Sequence, residues 1–424
     1  MLSSPEVVNH HAEATRSALK NLEISGLPPS PEFTPGSERL SRWGEMTLFR
    51  AGWGESVTTQ RIIDTLNANR VLSELQESQL KNLGFEAGYR FGPGVKIESD
   101  DVQEYQATYA AQLAAQSMAA RGWDRLGGLY IGSSTMSEAA IYRTREILAD
   151  WGIKVDHVQH HNLACQSPTT AIVHALQQPR LHGQQVVVVG LDTLTGNMAN
   201  LEDPMPFTLF GNGGGALAFI PKQDLIYLHG HTKFEHDEAG ITRAVSMRSL
   251  PSAYEWQPHP DNHMLEGALT GAYVAVTNDG LFMDLPPTGV NRAITMNGTG
   301  TFAYFVVEGK TVELIDYEMQ QYLNSGHKVR YGNLKKLIGH QPSLAVIEGV
   351  NQRAEKQFKR RKIVEPPFTI EWVMDKTGFN NVSAGTSLIA LEEHAHRRNL
   401  DTGAYVLYGM GIGNSVGAHV IVAL

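Results

Sequence analysis

The run Gln185-Val-Val-Val-Val-Gly190 constrains the fold of this chain more than any other stretch. Four valines bounded by glycine are typical of a strand that is buried on both faces, as in the centre of a parallel sheet. Apolar runs of strand length alternate along the chain with segments of helical periodicity, such as 101–121 and 138–151. This alternation predicts βαβ units around a mixed sheet, and therefore an α/β fold.

The chain divides into two halves that repeat one pattern. Residues 46–221 and 222–424 contain strands and helices in a similar order, and each half ends in a glycine-rich, hairpin-like segment, at 210–216 and 409–417. The repetition predicts an internal duplication of a βαβαβ unit. Residues 1–45 are rich in proline and serine and predict an N-terminal extension, a short helix (5–22) followed by an extended arm. Residues 222 to about 290 are predicted to be irregular.

Composition excludes several classes of protein. A single cysteine in 424 residues allows no intramolecular disulfide and no C-x-x-C zinc site, and it fits a reducing compartment. No apolar run approaches the ~20 residues that cross a bilayer, and the N-terminus lacks a signal-peptide pattern, so we expect a cytoplasmic protein without membrane association. A net charge of −9 argues against nucleic acid as a partner.

Cys165, the single cysteine, is predicted at a junction between a strand and a helix. An apolar extended run (153–158) leads toward it, and a helix is predicted to follow, with Ser167 as its cap and Pro168 in its first turn. Unpaired N–H groups and the helix dipole at such a position favour a thiolate, which is how a nucleophilic cysteine is activated. The alternative is that a lone cysteine is more often a small buried apolar residue. A base and an oxyanion site must therefore come from elsewhere in the chain.

Two further polar residues are predicted in turns between a strand and a helix. His340 and Asn381 both occupy such turns, and the carboxyl ends of strands are where ligands gather in α/β sheets. A thiol with histidine and asparagine nearby suits acyl transfer, and two neutral N–H donors can stabilise an enolate. The glycine-rich stretch 210–216 has neither P-loop nor G-x-G-x-x-G spacing and predicts a close-packed turn. No metal site is predicted from the paired histidines His160 and His161, which point apart on a strand, or from His157, His394 and His396.

Six local motifs together resemble β-ketoacyl-acyl-carrier-protein synthase III and its relatives in the thiolase superfamily, from about residue 46 to residue 424. They surround Cys165 (LACQSPTTA) and occur at 210–216, 295–305, 339–343 (GHQPS), 381–387 (NVSAGTS) and 411–417 (GIGNSVG). The resemblance implies a thiolase-like fold, in which two pseudo-repeated βαβαβ halves form a layered α-β-α-β-α core. Residues 46–221 would be the half with the nucleophile, and 222–424 the half with His340 and Asn381.

The resemblance also implies a mechanism. Cys165 would be acylated by a thioester, and the backbone N–H groups of Cys165 and of the Ile412/Gly413 turn would form the oxyanion hole. His340 and Asn381 would stabilise the enolate of a malonyl- or β-ketoacyl-thioester, which attacks the acyl-enzyme in a decarboxylative Claisen condensation. Acyl-coenzyme A or acyl carrier protein thioesters would be the substrates, without a bound cofactor or metal. This chain departs from the family pattern at Asn212 and at Pro342-Ser343.

A basic cluster follows the predicted helix after His340 and, by the same resemblance, would dock an acidic acyl carrier protein. Its members are Arg353, Lys356, Lys359, Arg360, Arg361 and Lys362. A solvated basic turn is the alternative. Relatives of this kind are dimers, so a homodimer is expected, with a heterodimer possible.

Two other functions stay open at this point. One is transfer of the acyl group from Cys165 to an alcohol or amine, and the other is a non-catalytic subunit with a thiolase-like fold. The N-terminal extension and the 222–290 region favour specialised metabolism, of polyketide or fatty-acid type, over housekeeping fatty-acid initiation.

Overall fold

The computed structural model describes the residues 38–69, 72–91, 100–163, 165–195, 204–230, 311–320, 334–362, 369–397, 400–411 and 415–424, and short strands between 232 and 282.

The first sheet has six strands: β1 (Arg39–Trp43), β2 (Met46–Gly52), β6 (Gly128–Gly132), β8 (Val158–His161), β9 (Val186–Thr193) and β10 (Asn212–Phe219). Their order is β1-β2-β10-β9-β6-β8. Strand β6 is parallel to β8 and β9, and the other neighbours are antiparallel. The valine run forms β9, as predicted. Val187 and Val189 pack on one face of the sheet and Val186 and Val188 on the other, so both faces are buried.

The second sheet repeats the strand directions of the first. It contains β11 (Leu225–Gly230), β18 (Leu334–Gly339), β19 (Gly403–Gly411) and β20 (Ser415–Ala423), in the order β11-β20-β19-β18. Here β18 is parallel to β19, and β20 is antiparallel to both β19 and β11. In the first sheet the same directions occur in the same order: β6 is parallel to β9, and β10 is antiparallel to both β9 and β2. The repeat predicted from the sequence is therefore visible in the strand pairing.

Helices form three layers around the two sheets. They are α3 (Asp100–Ala119), α4 (Glu138–Asp150), α5 (Ser167–Gln177), α7 (311–320), α8 (Leu344–Arg360) and α9 (Thr386–His396). One apolar cluster joins α3 and α4 to the first sheet. A second cluster places α5 and α9 between the sheets, and a third joins α7 and α8 to the outer face of the second sheet. The order of layers is α-β-α-β-α.

A fourth apolar cluster lies beside the start of α9. It includes residues of α1 (Thr59–Asn69), α2 (Glu74–Lys81) and α6 (Pro204–Leu209), and it lies next to the strand pair β3 (Glu55–Thr58) and β4 (Ala87–Arg90). A two-residue parallel pair, β5 (Arg125–Leu126) and β7 (Lys154–Val155), extends the first half. None of the described helices has both the length and the apolar composition that crossing a membrane requires.

The prediction of an irregular segment from 222 to about 290 is wrong where the structure describes strands. Beyond β11 these are a hairpin, β12 (Thr232–His236) with β13 (Thr242–Ser246), and the small sheet of β14 (Gln257–Pro258), β15 (Met264–Glu266), β16 (Tyr273–Thr277) and β17 (Gly280–Phe282). Each has only two to five residues. Alternation over so few positions is too brief to be distinguished in the sequence.

The end of the N-terminal extension lies in the first sheet as β1. Arg39 of this strand donates to Glu392 at 2.7 Å and also pairs with Glu393, both on α9. The buried Arg50 of β2 lies 3.0 Å from Glu392 and 3.2 Å from Glu393. These contacts fix the first hairpin on the central helix α9. The predicted helix 5–22 lies outside the described residues, as does the motif at 295–305.

Candidate active site

Cys165 lies between β8 and α5, where the sequence predicts the nucleophile. Its side chain is 4% exposed. The prediction that Ser167 caps α5 is wrong, because Gln166 occupies the cap position and Ser167 is the first helical residue. The Ser167 hydroxyl instead accepts a hydrogen bond from the Leu163 N–H at 2.8 Å and closes the loop around Cys165.

Gln166 connects the nucleophile loop to the glycine-rich hairpin β19–β20. Its side chain is fully buried, and among the described residues neither its amide nitrogen nor its amide oxygen has a hydrogen-bond partner. A Cβ at Gly417 would lie 2.2 Å from Gln166 Nε2, and one at Gly409 would lie 2.7 Å from Gln166 Cγ. Glycine is required at both positions because the hairpin packs directly on the residue after Cys165. The predicted oxyanion residues Ile412 and Gly413, which come between these two strands in the sequence, lie outside the described residues.

His340 follows β18 and is held as a neutral imidazole. Its side chain is 1% exposed, and this burial lowers its pKa from 6.5 to about 3. Within the described part of the chain, Nδ1 has no hydrogen-bond partner. The neighbouring Gln341 is fixed by two bonds, from its Nε2 to the Glu371 carbonyl (2.6 Å) and from the Val373 N–H to its Oε1 (2.9 Å). A neutral imidazole on a rigid loop can offer one N–H and one acceptor to a ligand.

Asn381 joins the loop of His340 to the start of α9. Its Nδ2 donates to the Pro342 carbonyl at 3.3 Å, and its Oδ1 accepts from the Ser383 N–H (2.8 Å) and the Thr386 hydroxyl (3.2 Å). The backbone of Asn381 bonds to that of Leu209 and Gly211. One N–H of the amide therefore orients the side chain, and the second N–H remains for a ligand.

Ser383 brings the loop of Asn381 to the nucleophile. The Cys165 thiol donates to the Ser383 hydroxyl at 3.3 Å. Ser383 has a φ of +46°, which is uncommon for a residue other than glycine and is often found at functional sites. Through Ser383, Asn381 and Pro342, the three loops of the predicted residues form one continuous set of contacts.

Asp192, near the end of β9, is hydrogen-bonded to the same loop, next to Ser383. It is fully buried, and its Oδ2 accepts from the Ala384 N–H at 3.0 Å. Burial raises its pKa, and the hydrogen bonds that it accepts oppose this rise. The sequence analysis did not identify Asp192 or Ser383. The available signal was a lone acid just beyond the valine run, near the end of a strand buried on both faces, where an unpaired charge is rare.

The predicted docking residues lie on the last turns of α8 and just beyond. The helix continues to Arg360, so four of the six members lie within it, whereas Arg361 is its C-cap and Lys362 follows; all six members are exposed. Between α8 and α7 is a cleft of about 620 Å³. Its lining also contains acidic groups of α7, and Arg361 pairs with the buried Asp316 at 2.5 Å. The surface is therefore basic at its rim and mixed in charge within the cleft.

The histidines that precede Cys165 are engaged with protein groups. His160 Nε2 lies 3.1 Å from the Ser133 carbonyl oxygen, and His161 Nε2 lies 3.1 Å from His174 Nδ1. Burial lowers the pKa of His160 to about 4 and that of His161 well below its usual value. Over the described ranges, no group of three or more histidine, cysteine or acidic residues is placed to hold a metal ion.

Comparison with known proteins gives matches to solved structures only. No protein-family model and no curated protein matches the sequence. The 3-oxoacyl-[acyl-carrier-protein] synthase III of Aquifex aeolicus VF5 matches with a TM-score of 0.58 and 14% identity, over 91% of this chain and 100% of that chain. The corresponding enzyme of Pseudomonas aeruginosa PAO1 gives 0.55 and 16%, over 89% and 96%.

A third match is the 3-oxoacyl-(acyl-carrier protein) synthase of Burkholderia xenovorans LB400, with a TM-score of 0.56, 14% identity and coverage of 92% and 97%. These similarities confirm the predicted fold class and, at the level of the fold, the resemblance that the six motifs indicate. The chain has the layered thiolase-type fold of the 3-oxoacyl-(acyl-carrier-protein) synthase III structures.

Proposed function

We propose that this protein is a ketosynthase III-like acyltransferase that forms an acyl-enzyme on Cys165 and condenses it with a second thioester. The observation that carries the proposal is the continuous contact from Cys165 through Ser383 and Asn381 to the loop of His340. This contact between the loops supports a site made of a thiol and two neutral hydrogen-bond donors. The acyl-carrier-protein enzymes with the same fold provide the reaction class.

The first step would be acyl transfer to sulfur. Cys165 Sγ attacks the carbonyl carbon of an acyl thioester, the C–S bond to the donor breaks, and the donor leaves as a thiol with the proton. The N-terminus of α5 lies next to the sulfur and favours negative charge there. The backbone N–H groups of Cys165 and of the Ile412/Gly413 turn are proposed to hold the oxyanion.

The second step would form a carbon–carbon bond. A malonyl- or β-ketoacyl-thioester enters, and with a malonyl extender carbon dioxide leaves as its electron pair passes into an enolate. The His340 N–H and the second N–H of Asn381 donate to the enolate oxygen. The carbanion carbon then attacks the Cys165 acyl carbonyl and releases the thiolate. Because His340 is neutral, it contributes a hydrogen bond and not a positive charge.

One observation favours a second candidate, transfer of the acyl group to an alcohol or amine. Asn381 Nδ2 is already bonded to the carbonyl of Pro342, in the segment where this chain departs from the family pattern. An enolate would then have only one N–H of this amide available. The products distinguish the two reactions, because condensation with a malonyl thioester releases carbon dioxide and acyl transfer does not.

Partners and setting are part of the proposal. An acidic acyl carrier protein would bind the exposed basic residues of α8, with acyl-coenzyme A as the other donor, in a cytoplasmic homodimer of specialised metabolism. Charge reversal at Lys356 would then raise the KM for a carrier-protein substrate without changing that for a coenzyme A substrate. The same change at Lys154, an exposed lysine of the short strand β7, provides the control.

Intact-protein mass spectrometry tests the acyl-enzyme. Wild type and Cys165→Ala are incubated with a panel of acyl-coenzyme A thioesters, and then with acyl carrier protein thioesters. We expect a mass gain equal to the acyl group on wild type only. Wild type that stays unmodified with every donor contradicts the proposal and indicates a non-catalytic subunit.

A further inference from the structure

Two of the described arginines are buried, and their surroundings differ. Arg50 is 3% exposed and lies 3.0 and 3.2 Å from the carboxylates of Glu392 and Glu393. Arg90, the last residue of β4, is 7% exposed, and over the described part of the chain no carboxylate pairs with it and its Nη1 has no hydrogen-bond partner. Burial lowers the pKa of Arg90 to about 10, so the guanidinium is still charged at neutral pH.

The acid that the strand register places opposite Arg90 has another partner. Glu55 of β3 faces Arg90 in the β3–β4 pair. Its carboxylate is exposed and pairs with Arg61 at 2.5 Å. A charge that is buried without a counter-charge is costly, because neither water nor an opposite charge stabilises it. A bound anion would remove this cost at Arg90.

Phe207 of α6 orients the guanidinium of Arg90. The Cζ atom of Arg90 lies 4.3 Å from the centroid of the Phe207 ring, which is the distance of a cation–π contact. This contact uses one face of the guanidinium, whereas its N–H groups lie in its plane. The plane therefore still offers the fork of donors that matches the two oxygens of a carboxylate.

Helix α6 also connects Arg90 to the proposed catalytic loop of Asn381. The carbonyl of Leu209, two residues after Phe207, accepts a hydrogen bond from the Asn381 N–H at 3.0 Å. Phe207 itself packs against the fourth apolar cluster, beside the start of α9. Arg90 is therefore a buried cation one short helix away from the groups proposed to act on the substrate.

We propose that Arg90 binds a carboxylate at the far end of the acyl group, so that the acyl donor is the thioester of a dicarboxylic acid. This inference rests on the proposed function. The acyl group is the part of a thioester that enters the protein interior, whereas the phosphates of coenzyme A or of a carrier protein lie at the other end of the donor. The carboxylate must also be one that the reaction retains. A malonyl carboxylate loses its charge as carbon dioxide leaves, and a cation beside it would oppose that step.

Equilibrium binding to Cys165→Ala tests the inference without requiring acylation. Calorimetry gives the Kd of glutaryl- against valeryl-coenzyme A and of adipyl- against hexanoyl-coenzyme A, and the two acyl groups of each pair have the same number of carbons. We expect the dicarboxylic member of at least one pair to bind about 10- to 100-fold more tightly, as hydrogen bonds to a charged group would give. Adding Arg90→Met should abolish the difference. Adding Arg61→Met, which removes an exposed arginine, is the matched control and should preserve it.

Urea denaturation without any ligand tests whether Arg90 is unpaired in the folded protein. Arg90→Met keeps a long side chain beside Phe207 and removes the charge, so its unfolding midpoint should equal or exceed that of wild type. Arg50→Met deprives Glu392 and Glu393 of a buried partner and should lower the midpoint.

Three results would overturn the inference. They are the absence of a preference within both pairs, a preference that persists in Arg90→Met, and a midpoint of Arg90→Met that falls as far as that of Arg50→Met. An equal loss of affinity for all four thioesters in Arg90→Met would place the bound anion in coenzyme A and would overturn it as well. A dicarboxylic preference that depends on Arg90, in a protein whose Cys165 is never acylated, would support the carboxylate site and contradict the proposed function.

Discussion

Substitution of Gly417 by alanine should displace the nucleophile loop. The new Cβ would lie 2.2 Å from Gln166 Nε2 and 3.2 Å from His419 Nε2. Gln166 is fully buried, so its amide can move only by displacing its surroundings and, with them, the adjacent Cys165. Insertion of a methyl group into a packed core costs about 1–3 kcal/mol. We expect destabilisation in this range and slower acylation of Cys165.

A second substitution, Gln166→Ala, should reverse the destabilisation caused by Gly417→Ala but not that caused by Gly409→Ala. Gln166→Ala removes the amide that the Gly417→Ala methyl meets, so the double variant should be close in stability to Gln166→Ala alone. Gly409→Ala is the control, because its Cβ would also meet Thr169 Oγ1 at 2.7 Å and Gln166 Cα at 3.1 Å, which the truncation leaves in place. Contacting residues couple by about 0.5–3 kcal/mol in a double-mutant cycle.

Urea denaturation of the single and double variants provides the unfolding free energies, and intact mass provides the acylation rate. Coupling near zero between positions 166 and 417 would refute the packing derived from the structure. Equal recovery of stability in both glycine variants would also refute it. Truncation of Gln166 would then relieve either added methyl group, and the contact at Gly417 would not be specific.

Three further predictions concern the proposed catalytic residues and the core. Asn381→Ala should leave acylation of Cys165 nearly intact and slow condensation by about 10²–10³-fold, since one donor to the enolate is lost; equal loss of both steps in single-turnover kinetics would contradict its role. His340 has a folded pKa of about 3 against 6.5 in the unfolded chain, so the unfolded state binds more protons between these values and stability must fall as pH falls through this window. His340→Gln should reduce this slope by up to about 1.4 kcal/mol per pH unit, measured by urea denaturation at several pH values, and an unchanged slope would show that the imidazole is not buried in its neutral form. Arg50→Ala should cost about 3–5 kcal/mol because Glu392 and Glu393 lose a buried partner, whereas Arg61→Ala at the exposed pair with Glu55 should cost about 0–1 kcal/mol; similar losses in the two variants would contradict the burial of the first network.

The sequence predicted the fold because its signals are local. A valine run of strand length, flanked by helical segments, is enough to predict β9 at the centre of a sheet. Cys165, His340 and Asn381 stand out because each lies in a turn between a strand and a helix. The repeated order of elements predicted a duplication that the strand directions of the two sheets display.

The contacts that organise the site are not local, and the sequence could not show them. Asp192 and Ala384 are 192 positions apart and meet only when α9 packs on the first sheet. Ser167 resembles a helix cap, yet its hydroxyl bonds back to Leu163, because the loop before it folds over the helix start. The basic cluster has the composition of a turn. Ala354 and Phe358 nevertheless pack in the core on the apolar face of α8, and the helix therefore extends to Arg360.

The most direct test of the central claim is the product formed from Cys165 acyl-enzyme and a malonyl thioester. Wild type, acylated beforehand and freed of excess donor, is mixed with malonyl-coenzyme A or malonyl carrier protein, and the product mass and released carbon dioxide are measured together. Cys165→Ala is treated in the same way as a control. The account predicts a β-ketoacyl thioester and carbon dioxide in equal amounts, from wild type only. An acyl-enzyme that persists with both extenders and is discharged only by an alcohol or amine would contradict it.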